Sequence, residues 1–343
     1  MSTTGIKDVA KHAGVSWATV TRVINKKGYV SDKTRKRVQE SINTLGYTPN
    51  RMAKALKSNR TGIIANVLPL STENPFYTSV SEALRDAAIQ FDYQILPLYH
   101  QSEPRLEEKL INELTGNMAE GIIFTAAVKS RPKVIRKIID KHIPVIMIER
   151  PLSMSGTDKI ILDEFRGSSI AASHFIERGH HSLGAMVLKK DHERFEGFKQ
   201  TLEKNGLILQ DRNIIGITGD CTVEKGYEAM KKLIEKRGKY PTGCFIPSDV
   251  LLLGALQYLY SVKLRVPENI SLIGYDNTFS AHCCPPITTI AIPFNKIGHT
   301  TISLFRERQE QQRNSDKTVR LSPFLLDRAS VLDIRNRKAS RKK

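Results

Sequence analysis

Only four cysteines occur in the 343 residues, Cys221, Cys244, Cys283 and Cys284, and no two are spaced as Cys-x-x-Cys. This speaks against zinc clips and a disulfide framework and suits free thiols in a reducing cytoplasm. None of the nine histidines stands at metal-ligand spacing; His180 and His181 follow Gly179 in a turn. Long apolar runs are missing as well. The longest, Val250 to Leu256, falls far short of the ~20 residues that span a bilayer and fits the start of a buried helix. The N-terminus is polar and shows no apolar signal segment, so a cytoplasmic protein with no membrane partner is expected. Enzyme signatures are absent too: no Gly-x-x-x-x-Gly-Lys-Ser/Thr, Gly-x-Gly-x-x-Gly, Gly-x-Ser-x-Gly or His-Glu-x-x-His occurs. The chain therefore reads as a non-enzyme with no metal and no cofactor. Acidic residues are in deficit, with 35 Asp and Glu against 53 Lys and Arg, a formal charge of +18.

That excess is concentrated. Residues 1–60 hold 13 Lys or Arg against 3 Asp or Glu, a net of +10. Within this stretch, Ile6 to Asn25 reads as two short helices joined at Gly14. Ile6, Val9, Ala10 and Ala13 fall on one helical face, Val15 bridges the turn, and Val20, Val23 and Ile24 face back onto the first helix. Ser16 is placed to cap the second helix, because its hydroxyl accepts a free first-turn N–H. The opposite face carries Trp17, Ala18, Thr21 and Arg22. A third helix starts at Ser31, shows the stripe Val38, Ile42 and Leu45, and ends at Gly46. This is a helix-turn-helix whose second helix is free to enter a DNA major groove. Any small hairpin buries one face; the local charge, which offsets phosphates, is what favours DNA. Lys7, Lys11, Lys26, Lys27, Lys33, Arg35 and Lys36 would position the domain, while side chains at the start of the second helix read base edges.

Residues 6–56 closely resemble the headpiece of the lactose-repressor (LacI/GalR) family. The matching runs include Asp8-Val9-Ala10, Ala13-Gly14-Val15-Ser16, Ala18-Thr19-Val20, Arg22-Val23-Ile24-Asn25, Leu45-Gly46-Tyr47 and Pro49-Asn50, all at the family's spacing. The resemblance implies DNA contacts from Ser16, Trp17, Ala18, Thr19, Thr21, Arg22, Asn25, Tyr47, Asn50, Arg51, Ala53 and Leu56. It implies a hinge helix opened by Pro49-Asn50, with Leu56 wedged between central base pairs of a palindromic operator. Trp17 is unusual at its position and has two readings, a base contact or a ring packed on the headpiece surface. Ala18 can at most touch a thymine methyl, and Arg22 is the better directional contact.

From Thr61 onward, strand-like runs alternate with amphipathic helices. Ile63–Leu68, Tyr93–Leu98, Gly121–Phe124, Val145–Ile148, Leu183–Leu188, Cys244–Pro247 and Ile270–Tyr275 read as strands. Helices are expected over Phe76–Phe91, Arg105–Thr115, Lys133–Lys141, Arg166–Arg178, Phe195–Asn205, Val223–Lys236 and Val250–Leu259. Such alternation means parallel sheets with helices on both faces and ligands at the strand C-termini. The family resemblance continues to about residue 330, through Asn74-Pro75-Phe76-Tyr77, Ser248-Asp249, Ile273-Gly274-Tyr275-Asp276-Asn277 and Pro286-Ile287-Thr288-Thr289-Ile290. The fold it implies is an all-α helix-turn-helix headpiece (1–46), a hinge (47–60) and a two-lobed α/β body like a periplasmic binding protein, built on two parallel sheets. Its first lobe would be 61–162 with 292–321 and its second 163–291 with 322–331, followed by a basic tail at 332–343.

By position in that pattern, effector contacts would come from Phe76, Thr125, Glu149, Arg194, Asp249, Asp276 and Phe294. Carboxylates accepting hydroxyls, a forked arginine and aromatic faces suit a sugar-like ligand. Lys189 and Lys190, beside the cleft mouth, favour a sugar acid or sugar phosphate over a neutral sugar. A structural reading competes: Arg194 and Asp276 as a salt bridge between lobes, with Glu149 and Asp249 as ordinary strand-end or helix-cap carboxylates. The resemblance also implies a homodimer on a twofold operator, and the apolar side of Phe76–Phe91 has two readings, part of the dimer surface or burial in the lobe's own core. The expected function is a sequence-specific DNA-binding regulator, a repressor of carbohydrate or sugar-acid genes, controlled by a small molecule in the cleft. A regulator answering to a protein corepressor and a solute-binding protein are the alternatives.

Overall fold

A computed structural model describes residues 4–25, 28–48, 60–69, 74–100, 104–114, 116, 118–125, 132–149, 152–188, 192–236, 239–310, 313 and 315–335. The chain divides into two compact units, Met1–Thr61 and Gly62–Lys343.

The first unit holds three helices, α1 (Ile6–Ala13), α2 (Trp17–Asn25) and α3 (Asp32–Thr44). Gly14 stops α1 in the left-handed region at φ +59, and the Val15 N–H then turns back to the Ala10 carbonyl at 3.0 Å. Ser16 caps α2 as expected, its Oγ accepting the Thr19 N–H at 3.2 Å, and Ser31 caps α3 by accepting from Thr34. Val9, Ala10, Ala13, Val20, Val23 and Val38 form the buried centre, with Ile6, Val15, Ile24, Ile42, Leu45 and Tyr47 packed around it.

The second unit is two α/β lobes. The first lobe contains β1 (Ile63–Pro69), α4 (Phe76–Ile89), β2 (Gln94–His100), α5 (Pro104–Leu114), β3 (Gly121–Thr125), α6 (Pro132–Asp140), β4 (Val145–Ile148) and β5 (Thr157–Leu162). The second contains α7 (Glu164–Glu177), β6 (Leu183–Leu188), α8 (His192–Lys204), β7 (Ile214–Ile217), α9 (Val223–Glu235), β8 (Gly243–Phe245), α10 (Asp249–Ser261), β9 (Ser271–Asp276) and β10 (Thr288–Ala291). The chain then returns to the first lobe through α11 (Phe294–Glu310) and β11 (Thr318–Leu321), and ends in the second with β12 (Phe324–Leu326).

The two sheets repeat one topology. The first runs β2-β1-β3-β4-β5-β11, all parallel; the second runs β7-β6-β8-β9-β10-β12, parallel except for β12. Strand order reverses between β1 and β3 and again between β6 and β8. In open α/β sheets a ligand crevice opens at that switch point, beyond the carboxyl ends of the strands. Periodicity alone does not mark the strands β5, β7, β10, β11 and β12 or the helix α11. Most are three- or four-residue runs, too short for a pattern to emerge.

The expectation for α4 is narrowed here. Four of the residues on the apolar side of α4, Val80, Leu84, Ala87 and Ala88, are buried within the lobe's own core, while Phe91 just beyond the helix is 41% exposed. The helix that covers them is α11, where Gly298 allows close contact; a Cβ there would lie 2.1 Å from the Ala83 carbonyl oxygen. A helical stripe signals that a face is covered but not whether the cover comes from the same chain.

Helices α7 and α8 meet just as closely. A Cβ on Gly197 would stand 2.1 Å from the Phe165 carbonyl oxygen and 2.3 Å from Ser168 Oγ. Gly197→Ala should therefore push α8 off α7 and cost ~1–3 kcal/mol, the usual range for overpacking, read as a lower urea midpoint. An unchanged midpoint would mean that this seam yields freely.

Candidate functional site

The outward face of α2 carries most of the expected DNA contacts. Trp17 is 54% exposed, Ser16, Arg22 and Asn25 are exposed, and Ala18, Thr19 and Thr21 are half-buried. Several of these hydroxyls also serve the helix itself. Ser16 Oγ lies 2.9 Å from Thr19 Oγ1, and Thr21 Oγ1 donates to the Trp17 carbonyl at 2.9 Å. Tyr47 is half-buried and packs against the helical core. Asn50, Arg51, Ala53 and Leu56, with Lys26 and Lys27, lie outside the described residues.

In the body, the candidates gather at the carboxyl edges of both sheets. Phe76 opens α4 after β1, Thr125 ends β3, Glu149 follows β4, and Phe294 opens α11. From the second lobe, Arg194 stands in the first turn of α8 after β6, Asp249 opens α10 after β8, and Asp276 ends β9. Glu149 and Asp276 both have left-handed backbones, at φ +56 and +97, as does Asn277 at +64. Non-glycine residues rarely adopt this conformation, and such strain collects at ligand sites. Phe76 and Phe294 form a tilted aromatic pair with ring centroids 5.8 Å apart.

Arg194 is the hub. Its guanidinium lies 4.0 Å over the Tyr275 ring, Nη1 donates to the Pro247 carbonyl at 2.6 Å, and Nη2 donates to Glu164 Oε1 at 2.7 Å. Asp276 Oδ1 stands 3.7 Å from Nη1. Burial works against the Arg194 charge, but Glu164, Tyr275, Asp276 and Glu149 outweigh it and hold the group protonated. Burial raises the Asp276 carboxyl to about 7, with Asp249, Glu149 and Glu164 adding to the rise and Arg194 opposing it. Glu149, from the first lobe, thus shares one electrostatic cluster with Arg194 and Asp276 of the second. The Arg194 Nε is buried and has no hydrogen-bond partner among the described residues.

The structure corrects one reading and adds partners to two others. Arg194–Asp276 is not a bridge between lobes, because α8 and β9 belong to the same lobe. Asp249 is divided between two tasks: its Oδ2 accepts backbone N–H groups from Thr278 (2.6 Å), Phe279 (2.9 Å) and Ser280 (3.3 Å), while its Oδ1 is buried with no hydrogen-bond partner among the described residues. Burial raises its pKa, and those N–H groups oppose the rise. Its Oδ1 packs over Gly274, 3.1 Å from where a Cβ would sit. Thr125 is fully buried and turns its hydroxyl inward, donating to Asn66 Oδ1 at 2.8 Å, while Asn66 donates to Ser81. Lys189 and Lys190 lie outside the described residues.

Comparison with known proteins agrees with both units. Residues 5–50 match the family described as bacterial regulatory proteins, lacI family, and residues 172–331 match the periplasmic binding protein-like domain. The chain is 33% identical over 335 residues to the HTH-type transcriptional regulator DegA of Bacillus subtilis (strain 168), covering 96% of this chain and 98% of the relative. It is 30% identical over 336 residues to the HTH-type transcriptional repressor PurR of Erwinia tasmaniensis, covering 96% and 97%.

The chain belongs to the lacI family of bacterial regulatory proteins.

Solved structures place this lacI-family chain in the same fold. A transcriptional regulator CelR–cellobiose complex superposes with a TM-score of 0.69 at 27% identity, covering 95% of this chain and 99% of that one. A lac repressor dimer bound to operator and the anti-inducer ONPF gives 0.75 at 23% identity, covering 96% and 100%. The helix-turn-helix unit makes this family member a DNA-binding transcriptional regulator. Among its described residues, no helix is long and apolar enough to cross a membrane. Two residues beside the lacI-family cleft carry no local signal in the sequence. Glu164 looks like an ordinary first-turn acid, and Tyr275 like a core strand residue. Their partner Arg194 is distant in sequence, and only the fold brings the three together.

Proposed function

We propose that this regulator is a repressor that binds a palindromic operator as a homodimer and is controlled by a neutral, polyhydroxylated small molecule, such as a sugar, held between the two lobes. The observation that carries the ligand reading is the Arg194 Nε at the crevice edge, a buried cationic donor with no hydrogen-bond partner among the described residues. Buried donors of this kind are normally satisfied, and a ligand hydroxyl or ring oxygen would satisfy this one. Asp276 supplies an acceptor, and the Phe76–Phe294 pair supplies an aromatic wall for C–H surface. Neutrality follows from charge: Glu164, Asp276 and Glu149 surround one arginine, so an anion would meet net repulsion among the described groups. The cellobiose complex of a relative is consistent with a sugar. A sugar acid or sugar phosphate would need Lys189 and Lys190 to outweigh those carboxylates.

Ligand control follows as linkage. A ligand that binds one lobe arrangement better shifts the population toward it, by no more than its differential affinity. The test takes the full chain through a thermal-shift panel of neutral sugars, sugar acids, sugar phosphates and purines. A ligand at a hundredfold excess over its Kd should add ~2.7 kcal/mol, a clear rise in melting temperature. Stabilisation by a neutral sugar supports the reading, and stabilisation only by acids or phosphates overturns it.

For DNA, an operator is first selected from random duplexes with the purified protein. Arg22→Ala should then weaken binding by ~1–3 kcal/mol and relax preference at one base pair per half-site. Equal loss on all sequences would reassign Arg22 to phosphate contact.

A further inference from the structure

We propose that Glu164 sets the charge selectivity of the cleft: by occupying one amino group of Arg194, it cancels the cation that would otherwise draw in an anionic ligand. The inference rests on the reading that Arg194 faces the ligand, and it assigns Glu164 a role beyond its place in the first turn of α7, which Asp163 caps.

The geometry is specific. Glu164 is the first residue of α7, directly after the chain crosses from β5 into the second lobe. Its acid charge suits a helix N-terminus, which would explain an exposed carboxylate there. This carboxylate is not exposed. Its side chain is 12% accessible, that of Arg194 is 6%, and the two meet at 2.7 Å. Glu164 is closer to the guanidinium than Asp276, which stands at 3.7 Å. The seam between α7 and α8 holds the pair in register, through Gly197 against Phe165 and the Ser169 hydroxyl donating to the Gly197 carbonyl at 3.2 Å.

A guanidinium has five N–H donors in a planar fork, and it grips a carboxylate or phosphate by offering two of them side by side. Here Nη1 donates to Pro247 and Nη2 to Glu164. An incoming anion would have to displace Glu164 or share the cation with it, next to Asp276. A neutral hydroxyl needs only a remaining N–H and pays no such repulsion. Glu164 thus leaves Arg194 as a hydrogen-bond donor while removing it as an anion hook.

Glu164→Gln is the discriminating variant, because the amide oxygen can keep the Nη2 bond while the charge is lost. The probe is inorganic phosphate, compared with chloride at equal ionic strength, on the full-length protein by melting temperature. Arg194→Gln supplies the background from phosphate bound elsewhere on this basic chain. Wild type should respond to phosphate no more than Arg194→Gln does. Glu164→Gln should respond with ~10-fold tighter phosphate binding, the scale of one charge-assisted hydrogen bond, and the gain should vanish in Glu164→Gln/Arg194→Gln. Equal responses from wild type and Glu164→Gln overturn the proposal. Should Glu164→Gln fail to fold, a wild-type response above that of Arg194→Gln still overturns it, and a matching response supports it. Failure of the neutral-ligand reading shows separately, as no response of wild type to any neutral sugar.

Discussion

Asp158→Asn should destabilise the body by ~3–5 kcal/mol, the usual cost of breaking a buried ion pair from one side. Asp158 lies in β5 and is fully buried, yet it carries two arginines. Arg308 donates from Nε at 2.7 Å and Nη2 at 2.9 Å, and Arg313 from Nη2 at 2.6 Å and Nη1 at 3.1 Å. The Lys317 N–H adds a fifth bond at 2.8 Å. Arg308 also reaches Asp316, and Glu307 is paired with Lys317. The network fastens the end of α11 and the entry to β11 onto β5, which secures the chain's return to the first lobe. Asparagine would leave two nearly buried guanidiniums around one neutral amide. The exposed Arg85–Asp86 pair makes a control, since Asp86→Asn should cost at most ~1 kcal/mol.

The same residue gives a pH signature. Burial pushes the Asp158 carboxyl up, but the hydrogen bonds from Arg308, Arg313 and Lys317 win and hold it below its ordinary value of 3.8. A depressed folded pKa means the unfolded chain takes up the proton first as pH falls. The stabilisation is therefore present above about pH 4 and is lost as pH drops through the folded value. Urea unfolding against pH should show a steep acid limb in wild type that flattens in Asp158→Asn. A loss under ~1 kcal/mol at neutral pH would mean the arginines find other partners, and the network would then count as surface charge.

The sequence carried the headpiece almost completely, because its signals are local. Ser16, Gly14 and the Val9–Val20–Val23 pattern each act within a few residues of themselves, so caps and faces could be read directly. The body was legible where helices and strands are long. It was not where β7 offers four residues, or where α11 hides its role in covering α4. The cleft was half legible. Arg194, Asp276 and Glu149 stand out by position and do cluster, whereas Asp249 Oδ2 anchors a turn and the Thr125 hydroxyl donates to Asn66, contacts that no local pattern reveals. Nothing local distinguishes a carboxylate that binds backbone N–H groups from one that waits for a ligand. Glu164 was missed for the converse reason: its partner comes from another helix.

Arg194→Gln should raise the Kd for whichever neutral sugar stabilises wild type by ~100-fold or more, matching the 2–5 kcal/mol lost when one member of a buried charged pair is removed. Arg194 is the only cation among the described groups of that cluster, and without it Glu164, Asp276 and Glu149 face one another unscreened. The cleft should then lose its orphan donor and its shape together. Operator binding should survive, because the helix-turn-helix is a separate compact unit with its own core, but ligand should no longer alter it. Asp276 supplies the pH test. Its carboxyl is raised to about 7, so between about pH 4 and 7 the folded protein holds a proton that the unfolded chain has released. This contribution to stability is complete below about pH 4 and is lost as pH rises to about 7. A ligand hydroxyl donates best to the ionised form, so sugar affinity should climb from about pH 6 to 8 in wild type and stay level in Asp276→Asn. An affinity independent of pH in wild type would place the ligand away from Asp276 and transfer its recognition to Arg194 and the aromatic wall.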